Sequence, residues 1–228
     1  MVFIEIGNRN LWFLFEVSGE RIYVTETMLA TWVVMAVLII FGFIVKSKLQ
    51  SFQEVPVSKF QNVVEFLVEA LNNLSEDVLG EDLRHLGGYF FGVFMFVLAS
   101  NYAGIVGLRP PTSDLTTTLP LALTTFILIH YVGISRQKFG YIKGYFAPFF
   151  LFMPLNVMGE LAKPISLCFR LFGNILGGMI LLQLCYMMLG MFAFVFPAVP
   201  HIMFDFFGGA LQSYIFIMLS MTFIKGMA

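Results

Sequence analysis

Charge is scarce in this chain of 228 residues: Asp, Glu, Lys and Arg together make up 12%, about half the share found in soluble domains. Alongside 59% hydrophobic residues, that shortage excludes an ordinary soluble domain and points to an integral membrane protein. No excess of either sign compensates. A formal net charge of −1 offers no basic surface to a nucleic acid and no polybasic tail. Cysteine is limited to Cys168 and Cys185, both in apolar sequence and without a second pair, so neither a disulfide framework nor a metal site is expected. A GxxxxGK[ST] loop is also missing, which excludes nucleotide binding by that route, and no cofactor is expected. The first residues contain early acids and no basic stretch leading to a small-residue cleavage site; they do not read as a signal peptide.

What the chain has instead is 28 Phe and 14 Met, set in long runs without full charges. About 20 apolar residues cross a hydrocarbon core. Such runs predict spans over residues 27–45, 86–108 and 115–135, a long and tilted fourth helix region over 145–189, and a fifth helix over 201–224. Residues 1–26 are expected to be an external N-terminal segment of a single membrane domain. Over 55–80, Phe60, Val63, Val64, Leu67, Val68, Leu71 and Leu74 recur at helical spacing against a polar face, with Phe66 outside the stripe. This predicts an amphipathic helix lying in the interface or packed on neighbouring protein. In "RPPTSDLTTTLP", Asp114 or Ser113 is available as N-cap of the third span. The fold class is therefore an all-α integral membrane protein of about five spanning helices with one interfacial helix.

Basic residues set the orientation. Lys46, Lys48 and Lys59 follow the first span, Arg136, Lys138 and Lys143 the third, and Lys225 the fifth, whereas the opposite loops hold little beyond Arg109. Arg9 and Arg21 run against the trend but have acids beside them. Five spans then place the N-terminus outside and the C-terminus in the cytoplasm, as in a bacterial plasma (inner) membrane.

Within this apolar sequence, "KPISLCFRLFGN" carries a full cation at Arg170, and arginine does not give up its proton in proteins. Positions three, four and seven apart share a helix face. Glu160, Lys163, Ser166, Arg170, Gly173, Asn174 and Gly177 form one such stripe, away from Ile165, Phe169, Phe172, Leu176 and Met179. Gly173 and Gly177 have the spacing of close helix packing. In the fifth helix His201, Asp205, Gly208, Gly209 and Gln212 share a face, with Phe204, Phe206, Phe207 and Leu211 on the rest. An intramembrane ion is either a structural partner of another, here Asp205 or Glu160, or part of an ion pathway. Asp205, alone in a long uncharged run beside Gly and Gln, favours a hydrated cavity with a proton or ion step. His130, near a span end, reads as a satisfied interfacial histidine.

"ELAKPISLCFRLFGNILGG" followed by "LQSYIFIMLSMTFI" resembles the a subunit of F-type ATP synthases. "PVSKFQNVVEFLVEAL", "NYAGIVGL", "PTSDLTTTLPLAL" and "HYVGISRQKFGYIKGYFAP" resemble it in the same order, so the likeness covers most of the chain from about residue 56. The resemblance implies a stator, not itself catalytic, whose fourth and fifth helices face a rotating ring of c subunits, with b-type peripheral stalk subunits and the rest of the complex as further partners in the bilayer. It implies two half-channels carrying H⁺ or Na⁺ to and from the ring carboxylates. It places the essential cation at Arg170, with Asn174 and Gln212 matching two further family positions. Many bacterial relatives have a glutamate nine residues after the arginine; here that residue is Met179, and Asp205 is expected to take over the relay, with His201 as a helper. The rival is a stand-alone transporter or channel using Arg170 to bind an anion. A third reading, a structural scaffold, expects Arg170→Lys or Arg170→Gln to be tolerated.

Overall fold

A computed structural model describes residues 12–17, 20–49, 59–146, 149–189 and 201–227. Expectations placed on residues 1–11, on the start of the amphipathic helix at 55–58 and on the uncharged loop 190–200 lie outside these. Among the described residues, five helical stretches are long and apolar enough to cross a membrane: Glu26–Leu49, Glu81–Tyr102, Leu115–Gln137, Met153–Met188 and Ile202–Lys225. The chain is an all-α, multi-pass membrane protein. One addition was not anticipated. Strands β1 (Trp12–Val17) and β2 (Glu20–Val24) form an antiparallel hairpin ahead of the first helix, irregular between Phe13 and Phe15. Their aromatic and β-branched residues suit a pleated surface.

Helix α1 (Glu26–Leu49) carries Glu26 in its first turn and Lys46 and Lys48 in its last, the polarity a helix dipole favours. It buries only Thr27, Ala30 and Val34, leaving the rest of its apolar surface for lipid. Helix α2 (Lys59–Leu79) is the amphipathic segment; it packs on α3 and the last helix through Val64, Leu71 and Leu79. Phe66 and Val63 remain exposed. The Lys225 ammonium donates to the Leu79 carbonyl at 2.8 Å, tying the end of α2 to the end of the chain.

A 3₁₀ turn (Glu81–Leu86) leads into α3 (Gly87–Tyr102), which stops short of the expected residue 108. The following turns include Gly107 at φ +83. Asp114 caps α4 (Leu115–Gln137), its carboxylate accepting from the Thr116 amide at 3.2 Å. The chain then reverses at Lys138, which sits at φ +49. Short helix α5 (Phe139–Tyr145) returns over the end of α4, and Tyr141 seats on Gly133, where a Cβ would lie 2.5 Å from the ring. No side chain larger than hydrogen fits there.

The region 145–189 is thus not one helix. It divides into the end of α5, a 3₁₀ turn (Phe150–Phe152) and the 37-residue α6 (Met153–Leu189). At 1.5 Å per residue α6 is about 55 Å long. That exceeds a hydrocarbon core of about 30 Å, so it inclines or extends beyond it. A π turn (Ile202–Gly208) opens the last span and passes into α7 (Gly209–Lys225).

α4 packs along α6, and α3 along α7. Phe90, Val97, Ile129, Leu167, Leu171, Phe216, Ile217 and Met221 form the core. Three buried hydroxyls are satisfied within their own helices, Ser75, Ser213 and Ser220 each donating to the carbonyl four residues earlier, whereas the buried Ser100 hydroxyl has no partner. Such internal bonding is what a membrane interior demands. The cysteines fit the packing reading. Cys168 is buried against Thr118, Cys185 is half-buried, and both are free thiols.

Candidate functional site

Arg170 lies on the outer face of α6, exposed, while Leu167, Cys168 and Leu171 turn inward. Among the described residues no hydrogen bond or ion pair engages its guanidinium. The two acids that could have neutralised it are committed elsewhere. Glu160 accepts from Lys163 at 2.7 Å, and Asp205 bonds His201 at 2.5 Å. A permanent cation without an internal partner is costly in a membrane, which weighs against a purely structural role within this chain. Gly173 and Gly177 do not serve packing here: a Cβ on either meets nothing within 4 Å. The glycines instead leave a smooth, open surface flanking Arg170.

One turn beyond Arg170, the Asn174 amide donates to the Gln212 carbonyl at 2.7 Å. This bond joins α6 to α7 beside the arginine. The Gln212 amide nitrogen is buried and has no partner. The residues on either side of Gln212 are held by Asn101, whose amide donates to the Gly209 carbonyl at 3.0 Å and to the Ser213 hydroxyl at 3.2 Å. The Asn101 carbonyl in turn accepts from Thr112 at 2.7 Å. Asn101 was missed as a site-building residue; its signal was a lone amide in the apolar run "FVLASNYAG". Gly209 permits the contact, since a Cβ there would lie 3.1 Å from the Asn101 Cβ.

Two cavities flank Arg170 along α6. The first, about 450 Å³, is lined by Leu176, Met179, Gln183 and Tyr186 of α6, by His201 and Asp205, and by Glu26 and Arg109. Met179 and Asp205 therefore line one cavity. Tyr186 is bonded to His201 at 2.7 Å. The second cavity, about 580 Å³, is lined by Asn156, Gly159, Glu160 and Lys163 of α6, by Tyr141 and Tyr145, and by Gln137 and Met227. Glu160 lies about 15 Å before Arg170 along the helix, and Met179 about 13 Å after it.

Topology separates the two openings. The first cavity is bounded by the start of α1, the end of α3, the end of α6 and the start of the last span; the second by the end of α4, the start of α6 and the end of α7. In an alternating five-span chain these are opposite faces. In the second cavity Asn156 donates to the Tyr145 carbonyl at 2.9 Å, and the Tyr141 and Tyr145 hydroxyls bond at 2.8 Å. Burial pushes the Tyr141 hydroxyl up from its ordinary pKa, with the Tyr145 hydrogen bond and the nearby Glu160 adding to it, so it stays protonated. One Glu160 oxygen is buried without a partner. His130 is satisfied as expected, bonding the Phe126 carbonyl at 2.9 Å and the Tyr145 hydroxyl at 3.4 Å.

Residues 28–225 match the sequence family described as ATP synthase A chain. The chain belongs to the ATP synthase A chain family. Among its relatives is the "ATP synthase subunit a" of Oleidesulfovibrio alaskensis, 36% identical over 201 residues, covering 86% of this chain and 83% of that protein. The "ATP synthase subunit a" of Moorella thermoacetica is 33% identical, covering 92% of this chain and 93% of its own length. The "ATP synthase subunit a, sodium ion specific" of Propionigenium modestum is 36% identical, covering 89% of this chain and 74% of that protein. Membership of the ATP synthase A chain family makes this a membrane subunit of the synthase, not a catalytic one, associated with the rest of that complex. Its role is that of the stator ion channel. The stand-alone transporter reading is left without support.

Proposed function

We propose that Arg170 is the fixed cation that meets the carboxylates of a rotating c ring, and that the two cavities are the inner ends of its half-channels. Positive-inside charge supports an external N-terminus and a cytoplasmic C-terminus, in a bacterial inner membrane. The Asp205 cavity then opens outward, and the Glu160 cavity opens to the cytoplasm. The observation that carries this reading is the exposed guanidinium, unpaired among the described residues, between two cavities on opposite faces.

The chemistry follows from charge. A ring carboxylate reaching Arg170 is stabilised in its ionised form, which favours release of its ion. The same charge repels a cation attempting to pass directly from one cavity to the other. An ion must therefore board the ring from one side, ride the turn and leave by the other. A membrane potential supplies about 2.3 kcal/mol per charge per 100 mV. Asn174 and Gln212 hold the α6–α7 spacing beside Arg170, and Asp205 with His201 serves the outer path. The chain has no catalytic activity of its own; nucleotide chemistry belongs to other subunits, and b-type stalk subunits hold the stator still.

Replacing Arg170 with Ala tests the assignment. ATP-driven ion pumping in membrane vesicles should vanish while the complex still assembles. Normal coupled pumping by an assembled Arg170→Ala complex would overturn it.

A further inference from the structure

A third cavity, of about 610 Å³, lies away from Arg170, between the starts of α1 and α4 and against α3. Its lining changes with depth. At the helix starts it is polar, formed by Thr25, Thr27, Asp114, Thr116 and Thr117. The Thr25 and Thr27 hydroxyls bond at 3.0 Å, and Thr27 donates to the Asp114 carboxylate at 3.1 Å. Further in, the walls are Trp32, Leu121 and Phe96, each about 9 Å from that end of its helix. The deeper threonines, Thr31 and Thr124, turn their hydroxyls back to the Thr27 and Leu121 carbonyls at 2.7 and 2.8 Å. The inner end is thereby apolar.

We infer that this cavity binds a lipid with a primary ammonium headgroup, a phosphatidylethanolamine, in the leaflet where α1 and α4 begin. Its polarity gradient is that of a lipid: hydroxyls and a carboxylate at headgroup level, then aromatic and aliphatic walls at acyl-chain level. Trp32 suits the boundary between the two. Access is from the bilayer, since Trp32 and Val33 of α1 and Leu119 and Leu123 of α4 are exposed. Charge selects the headgroup. Among the described residues that line the cavity, Asp114 has the only full charge, and none is Lys, Arg or His. An ammonium is therefore attracted and a net anionic headgroup repelled. A primary ammonium also donates up to three hydrogen bonds to carboxylate and threonine oxygens, which the methylated nitrogen of choline cannot do. The lipid phosphate falls beside Thr116 and Thr117 in the first turn of α4, at the positive end of the helix dipole. Calling this leaflet the outer one rests on the orientation proposed above; the choice of headgroup does not.

The test puts the photoreactive residue p-benzoylphenylalanine in place of Met28, on the cavity wall, within the whole ATP synthase complex. The complex is reconstituted into liposomes of equal parts phosphatidylethanolamine, phosphatidylcholine and phosphatidylglycerol, in both leaflets. After illumination, mass spectrometry of the α1 peptide identifies what was cross-linked. Phosphatidylethanolamine adducts should exceed those of either other lipid by about fivefold or more. The same label in place of Val37, exposed on α1 outside the cavity, should show no preference. Asp114→Asn, which keeps a good N-cap residue, should bring the three lipids close to parity. Thr27→Val, which removes only a hydroxyl, should narrow the preference and carries the test if Asp114→Asn fails to assemble. Equal labelling by the three lipids at Met28 would overturn the inference. So would cross-linking of Met28 to a polypeptide segment in place of lipid, or a preference unchanged in both variants.

Discussion

At the scale of single residues, the site is organised by what each polar group is bonded to. Lys163 and His201 engage the acids, and Asn174 engages the Gln212 carbonyl, so Arg170 has no bonded partner among the described residues. The Asn174–Gln212 bond is buried on the glutamine side, with Gln212 1% exposed. Removing one partner of such a bond costs roughly 1–3 kcal/mol, because the other is stranded. Asn174→Leu and Gln212→Leu should each lower the thermal stability of the assembled complex, whereas the double substitution should lose less than the two losses added. Additive losses in that cycle would show that the bond carries no coupling energy.

At the scale of elements, periodicity told which residues share a face but not which face is packed. On α6 the stripe from Glu160 to Gly177 is present, yet it is Leu167, Cys168 and Leu171 that are buried, Cys168 against Thr118 of α4. In a membrane both apolar and small residues can face outward, so Gly173 and Gly177 read equally well as a packing seam. The last helix hid a second point. At 3.6 residues per turn His201, Asp205, Gly209 and Gln212 share one face. The π turn over Ile202–Gly208 divides their roles: His201 and Asp205 line the cavity, while Gly209 and Gln212 bury. No residue in "IMFDFFG" announces that change of winding. Tyr186 was also illegible, since its contact with His201 spans 15 positions with residues 190–200 between. Arg170, Asp205 and the five spans were legible because charge in a greasy run is conspicuous. Gly209 provides an element-level test. A Val there meets Asn101 and Tyr102, and overpacking of this kind costs about 1–3 kcal/mol. Gly209→Val should reduce the amount of assembled complex in membranes, and Gly173→Ala, with open space around it, should not.

At the scale of the whole molecule, five crossings, one of them a long helix, put cavities of about 450 and 580 Å³ on opposite faces with Arg170 between them. The spacing is what makes the arrangement useful. The lining residues nearest Arg170 along α6 are Lys163, about 10 Å before it, and Leu176, about 9 Å after it. In the proposed function a rotating partner carries the ion across that interval, which couples flow to rotation. The most direct measurement is side-specific thiol labelling of assembled complexes. Met179→Cys and Gly159→Cys are placed separately in a background where Cys168 and Cys185 are replaced by Ser. A membrane-impermeant thiol reagent should label the Met179→Cys protein only from outside the cell and the Gly159→Cys protein only from the cytoplasmic side. Labelling of both from one side would contradict the two opposed half-channels.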